Sequence, residues 1–306
     1  MSLSATRGRV VHVDAEVIAT RKAGDYQHVT LVAEGVAELA KPGQFVALTV
    51  GGPTSGLLLR RSFSLHKVSA TGTYGGTVEI VVANAGPGTA WISALAPHDR
   101  VNIVGPLGRG FRLPKEPQPC ILVGGGYGSA PLFWLAEMLG ERGCSTHLVL
   151  GAASERRLFG VVEGRRIADE VAVVTDDGSA GRTGRVTDVL PDLLTRTGAA
   201  VIYACGPMAM LAAVTDVGAR FGAVTQVAVE EAMACGIGVC MTCVLPVRGT
   251  DGVTRMVRSC VDGPVFAGDD VRWDAIEGRR CHVPDDALGA PVRQTRSGHA
   301  SPGGDQ

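Results

Sequence analysis

Cys120-Ile121-Leu122-Val123-Gly124-Gly125-Gly126-Tyr127-Gly128-Ser129-Ala130-Pro131-Leu132 decides how this 306-residue chain folds. The apolar run from Cys120 to Val123 reads as a strand covered on both faces, as in a parallel sheet. A glycine turn follows, then a helical pattern from Ser129 to Leu139. Glycines let a pyrophosphate approach the backbone, and a helix N-terminus offers partial positive charge. Gly124, Gly125, Gly126 and Gly128 are therefore candidate contacts for a dinucleotide such as NAD. The third glycine of G-x-G-x-x-G is absent, its place taken by Ser129 or Pro131. The turn is thus not of the dehydrogenase form; a tight strand-to-helix turn without a ligand is the plainer alternative.

Downstream, strands are expected at His147 to Leu150, Val171 to Val174 and Ala200 to Tyr203. Helices are expected from Thr187 to Leu194 and from Pro207 to about Phe221. This alternation predicts a doubly wound sheet. Tyr203-Ala204-Cys205-Gly206-Pro207-Met208 closes a strand and opens a helix with proline at its start. Cys205, Gly206 and Pro207 are similar to the reductase segment beside the nicotinamide and so are further nucleotide candidates, although Cys205 alone reads first as a small buried residue. Gln226 to Glu230 is the last expected strand.

That strand runs into Ala234-Cys235-Gly236-Ile237-Gly238-Val239-Cys240-Met241-Thr242-Cys243, answered by Cys260 in Ser259-Cys260-Val261-Asp262-Gly263-Pro264. The C-x4-C-x2-C spacing with a distant fourth cysteine is that of plant-type 2Fe–2S sites, not of paired C-x2-C structural zinc. Gly236 and Gly238 allow a tight curl and leave amides free to point at sulfur. Cys235, Cys240, Cys243 and Cys260 are the expected ligands; a zinc knob or chance clustering are the alternatives. Cys120, Cys144, Cys205 and Cys281 are scattered, which suggests a reducing cytoplasm rather than a disulfide framework.

Upstream, short runs such as His28 to Ala33, Gln44 to Val50 and Thr77 to Ala83, separated by turns, predict an antiparallel barrel or sandwich. Two segments there carry chemistry. In Arg60-Arg61-Ser62-Phe63-Ser64-Leu65-His66, the Arg-x-aromatic-Ser run resembles the flavin-holding strand of ferredoxin-reductase-like proteins, which implies arginine as a charged fork for a pyrophosphate, the aromatic as a face for the flavin and serine as a hydroxyl for its N5 edge. An ordinary strand with solvent-facing arginines fits the tetrapeptide as well. In Asn84 to Ser93, a Gly-x-Gly-Thr turn before a short helix presents N–H groups to a phosphate, or is a simple loop turn. The seven histidines form no set and read as surface or packing residues.

The proline-rich break from Leu113 to Pro119 is the expected boundary. The expected organisation is α+β and multidomain. Residues 1–113 form an antiparallel β-barrel, 114–225 a doubly wound α/β nucleotide domain, 226–281 a small 2Fe–2S module and 282–306 a disordered tail. A net charge of -1 argues against nucleic acid or an anionic membrane as partner. No apolar stretch reads as a membrane span and the N-terminus does not read as an export signal.

Taken together, these motifs resemble the electron-transfer subunits of the NAD-linked, two-subunit bacterial dihydroorotate dehydrogenases, which are ferredoxin-reductase-like. The resemblance covers Arg9 to Cys281, and Glu230 to Cys243 with Cys260 to Phe266 is its most specific part. It implies a 2Fe–2S cluster on Cys235, Cys240, Cys243 and Cys260. It implies FAD on Arg61, Ser62, Phe63 and Ser64, with Ser62 replacing the usual proline. Gly88 and Thr89 match the pyrophosphate loop. Val82, Ala83 and Asn84 align with a second flavin segment but lack its usual Tyr-Arg, leaving backbone contacts there. Gly-Gly-Gly-x-Gly-x-Ala-Pro is similar to the reductase variant of the nucleotide turn, and Cys205-Gly206-Pro207 matches the place beside the nicotinamide.

By that resemblance the chain carries electrons between NAD(H) and the FMN of a catalytic subunit that oxidises dihydroorotate in pyrimidine biosynthesis. The expected assembly is a cytoplasmic heterotetramer of two catalytic and two electron-transfer subunits. The same three parts fit the small subunit of a ferredoxin:NADP oxidoreductase or of a hydrogenase or sulfur-reductase diaphorase. A binding module with a four-cysteine zinc is the non-enzymatic alternative. Glu155 fits a ribose hydroxyl and Arg156 and Arg157 a 2′-phosphate, so NAD is favoured by the resemblance alone.

Overall fold

The computed structural model describes residues 9–52, 54–73, 75–278 and 280–289. The expected lack of an export signal at the N-terminus and the expected disorder from residue 290 fall outside the described residues.

Six strands close an antiparallel barrel in the order β1-β2-β5-β4-β3-β6. They are β1 (Val11–Ala23), β2 (Tyr26–Val32), β3 (Phe45–Leu48), β4 (Arg61–Ser69), β5 (Thr77–Ala83) and β6 (Arg100–Leu107), with helices α1 (Val36–Leu39) and α2 (Pro87–Ser93) in the connections. Closure leaves no free edge on these strands. Val17, Val29, Leu31, Val46, Leu48, Leu65, Val78, Ile80 and Ile103 fill the interior. Alternation along β5 puts Val82 in that core, because residues two apart share a face. The Val82 side chain thus points into the barrel, so only its backbone is left for the flavin contact expected there.

The second sheet has the order β10-β9-β8-β7-β11-β12-β15. Its strands β7 (Cys120–Gly125), β8 (Thr146–Ala152), β9 (Glu170–Thr175), β10 (Arg182–Thr183), β11 (Val201–Cys205) and β12 (Val224–Ala228) are parallel. Helices α3 (Ala130–Glu141), α4 (Val161–Ile167), α5 (Leu190–Thr197) and α6 (Met208–Arg220) cover the faces. The chain winds outward from β7 through β8 and β9, then returns to place β11 on β7's other side. That reversal opens a crevice at the carboxyl ends of β7 and β11, the usual ligand position in such sheets.

The cysteine segment adds a hairpin, β13 (Val244–Arg248) with β14 (Thr254–Arg258), one turn of helix α7 (Ser259–Asp262), and β15 (Val265–Ala267). β15 pairs antiparallel with β12, so the module completes the nucleotide sheet rather than hanging from its edge. A last small hairpin joins β16 (Ile276–Glu277) to β17 (Arg280–Cys281). The described part of the expected disordered tail is corrected as well. The Leu288 amide donates to the Thr254 carbonyl at 2.8 Å, and Arg272 pairs with Asp286 at 2.8 Å. Ala287 is buried.

The histidines, too, differ from expectation. β2 and β4 are both neighbours of β5, and this brings the rings of His28 and His66 to 5.2 Å. Strand order, which sequence separation hides, makes them a pair.

Candidate functional site: a flavin cavity beside four converging cysteines

A cavity of about 570 Å³ lies between barrel, nucleotide sheet and cysteine module. The barrel lends Phe45, Arg61, Ser62, Phe63, Ser64 and Thr89. Of the second expected flavin segment, Ala83 lines the cavity, joined by Val81 and Ala85, while Asn84 is exposed outside the lining. Arg61 is held in place: its Nη1 donates to the Leu59 carbonyl at 2.6 Å, and its guanidinium lies over Gly88, where a Cβ would stand 2.7 Å from Nε. The Thr89 hydroxyl accepts from the Ala85 and Gly86 amides at 2.9 and 3.0 Å, so it shapes the loop.

On the facing wall, β7 and β11 end side by side. A Cβ on Gly128 would lie 2.8 Å from the Gly206 Cα, and one on Gly125 would lie 2.8 Å from Pro207. The two glycine-bearing turns thus interlock, and this explains why neither carries side chains there. Gly128, Cys205 and Pro207 reach the cavity, while Gly124, Gly125 and Gly126 form the strand end and turn behind it. Burial first, and then the charge of Glu230, push the Cys205 thiol well above the ordinary cysteine range. Cys205 is therefore a neutral thiol at the junction of both domains.

Glu230, Glu231, Met233, Pro264 and Gly278 also line the cavity and were not among the expected site residues. A signal existed for the first two, since they follow β12 at the carboxyl end of the sheet. Nothing in the sequence spacing pointed to Gly278, which arrives on the turn between β16 and β17.

The four clustered cysteines are brought together in two pairs. The Cys240 amide donates to the Cys235 sulfur at 3.5 Å, joined by the Val239 amide at 3.3 Å. The Cys260 amide donates to the Cys243 sulfur at 3.4 Å. The Thr242 hydroxyl donates to the Cys240 sulfur at 3.1 Å and, with backbone amides, draws that thiol down to about 6. Burial pushes Cys260 up to about 12.

Among the described residues, no three of these sulfurs lie within 4.8 Å of one another. Four thiolates on one zinc stand about 3.8 Å apart, as follows from a Zn–S bond of about 2.3 Å in a tetrahedron. The absence of such a trio among the described residues is unlike one tetrahedral zinc, and amides aimed at sulfur fit an iron–sulfur core. One side of this loop is buried: Cys243 and Cys260 pack with Phe45, Ala47 and Leu107. The other side leaves Ile237, Val239 and Met241 more than half exposed, at 54%, 75% and 51%.

The iron–sulfur cluster binding domain of dihydroorotate dehydrogenase B matches residues 230–272. The electron transfer subunit of dihydroorotate dehydrogenase B (NAD(+)) from Desulforamulus reducens is 34% identical over 85% of this chain and 98% of its own length. That from Geobacillus thermodenitrificans is 38% identical over 87% of this chain and 98% of its own. Among solved structures, an NADH-dependent reduced ferredoxin-NADP oxidoreductase studied for flavin-based electron bifurcation superposes with a TM-score of 0.72. It is 33% identical, over 85% of this chain and 90% of that chain. A ferredoxin NADP+ reductase from Neisseria gonorrhoeae, solved with FAD and NADP, shares the fold at TM-score 0.54 and 15% identity. A reductase barrel, a doubly wound sheet and a four-cysteine loop that continues that sheet, matched over nearly their whole length, place this chain in the family of electron transfer subunits of dihydroorotate dehydrogenase B.

Proposed function

We propose that the chain passes electrons between the FMN of a dihydroorotate dehydrogenase catalytic subunit and NAD+, through a 2Fe–2S cluster and FAD. One observation carries this reading. A Cβ on Gly236, in the cysteine loop, would lie 3.5 Å from Phe45 and 3.6 Å from the Ser62 hydroxyl, and both of those residues line the flavin cavity. The two redox sites are wall to wall.

Flavin exchanges electrons in pairs or singly, and an iron–sulfur cluster carries them singly. The chain's own residues bind and orient. Arg61 would offer its guanidinium to the pyrophosphate, and Phe63, Ser64 and Ala83 line the space the ring system would take. The turn at Gly128 and the Cys205-Gly206-Pro207 corner let a nicotinamide approach that ring without a side chain between them. Cys235, Cys240, Cys243 and Cys260 hold the cluster. The exposed apolar rim of Ile237, Val239 and Met241 meets the catalytic subunit, in an assembly of two subunits of each kind.

All eight cysteines are free, as fits the reducing cytoplasm. Among the described residues, no helix is long and apolar enough to cross a membrane. The test is purification of the native complex, with spectra of flavin and iron–sulfur and an assay of dihydroorotate-dependent NAD+ reduction. Electron transfer without dihydroorotate activity, from reduced ferredoxin to NADP+, would replace this reading with the oxidoreductase one. The 33% identity to that solved structure keeps the second reading in view.

A further inference from the structure

Away from the flavin cavity, three barrel strands bring together His28 on β2, His66 on β4 and Glu79 on β5. One ligating atom from each lies within 4.8 Å of the other two. Glu163, on α4 of the nucleotide domain, adds a fourth group. Its Oε2 stands 3.5 Å from His66 Nε2, while Glu79 Oε1 stands 3.9 Å from the same nitrogen and also contacts His28.

His66 is 1% exposed, and its Nε2 has no hydrogen-bond partner. The other ring nitrogen, Nδ1, lies 2.8 Å from the Ala130 carbonyl, which can only accept. The proton of a neutral His66 therefore sits on Nδ1, and Nε2 turns a lone pair toward two carboxylates; burial opposes a second proton there, but Glu163 and Glu79 outweigh it and raise the imidazole's pKa, so Nε2 calls for either a proton or a metal ion. A buried lone pair facing like partners is costly. A cation among them removes the conflict, and an imidazole anchored through its far nitrogen to a carbonyl is the usual state of a metal-bound histidine. Phe133 and Phe159 pack on the imidazoles at ring distances of 5.3 to 5.4 Å and shield that side. A cavity of about 1080 Å³, lined by His28, Glu79, Phe159 and Glu163, adjoins the group and gives an ion its entrance. Of the nearby cations, Lys67 is taken by Glu137 at 2.7 Å, and Arg21 stands 3.1 Å from His28 Nδ1.

We propose that His28, His66, Glu79 and Glu163 bind a divalent transition cation of the zinc class, bridging the flavin barrel and the nucleotide domain. Two carboxylates balance its charge, and two nitrogens with two oxygens suit tetrahedral zinc. The site is independent of the cysteine cluster and of the electron-transfer reading.

The test uses the native complex, incubated with zinc chloride, passed over a chelating resin, and assayed for zinc and iron together. Expected is about one zinc per chain in addition to the iron, with retention falling roughly tenfold or more in Glu163→Gln and His66→Gln, as loss of a ligand requires. Glu163 lies on a partly exposed helix, so its variant reports even where His66→Gln fails to fold. Iron and flavin content should not change. No zinc above the iron in the wild type overturns the proposal, and so does undiminished zinc in the Glu163→Gln protein. Either result leaves a protonated His66 paired with the carboxylates as the arrangement.

Discussion

Gly236 of the cysteine loop and Ser62 of the flavin strand face each other across the domain boundary, the hydroxyl oxygen 3.6 Å from where a Cβ would stand on Gly236. Phe45, which lines the flavin cavity and packs with Cys243 and Cys260, is shared by the two sites, and the loop's conformation maintains that spacing. Gly238, two residues on, has φ +83, and a Cβ there would stand 2.5 Å from Val261 of α7, the helix that carries Cys260. Gly238→Ala combines a left-handed backbone cost of about 1–2 kcal/mol with a clash against that helix. Iron content and the iron–sulfur absorbance should fall, while bound FAD stays near one per chain. Cofactor analysis of the purified variant checks this.

Arg61 is held over Gly88. Arg61→Ala removes a charge-assisted partner worth about 1.5–3 kcal/mol, so the Kd for FAD should rise roughly 10- to 150-fold. Titration of flavin-stripped protein reads the change directly, and an unchanged Kd would remove Arg61 from the site.

Val81 and Val82 separate cavity from core on β5. Val82→Ala should destabilise the barrel by roughly 1–2 kcal/mol, the cost of deleting buried methyls, and leave FAD affinity alone. Val81→Asp should do the reverse in emphasis, weakening FAD more than the fold. Chemical denaturation beside flavin titration separates the two.

Cys205 sits where the two glycine-bearing turns interlock. Cys205→Ala should keep the fold, yet slow flavin reduction by NADH about tenfold, equivalent to about 1.4 kcal/mol of misplaced nicotinamide. Stopped-flow absorbance at the flavin band measures it.

Val239, 75% exposed on the cysteine loop, is the most prominent apolar residue of the rim. Val239→Glu should leave iron and flavin in place but weaken association with the catalytic subunit by about 2 kcal/mol, or roughly thirtyfold, as for a central contact of an interface. Affinity between the separately prepared subunits is the measurement.

Much of this was legible because it is local. The run Cys120 to Val123 and the glycines after it announced a buried parallel strand and its turn, and the spacing of Cys235, Cys240, Cys243 and Cys260 marked the loop that lies within the matched iron–sulfur domain. What stayed hidden was set by strand order. Which side chain of β5 faces the cavity was not legible, because a one-residue shift along a strand exchanges faces: Val82 is in the barrel core and Val81 lines the cavity. His28 and His66 were read as unrelated because only β5 between them makes them neighbours. Gly278 and the residues near Asp286 lie in a stretch without periodicity, whose position depends on the Arg272–Asp286 pair and a single bridge to Thr254.

The pairing of β15 with β12 makes the cysteine module part of the same sheet that ends at Cys205. A carrier stitched in this way shares the framework of that sheet, unlike tethered shuttling domains. With flavin and cluster bound as proposed, the tunnelling distance between them would be set by folding and not by a swinging arm.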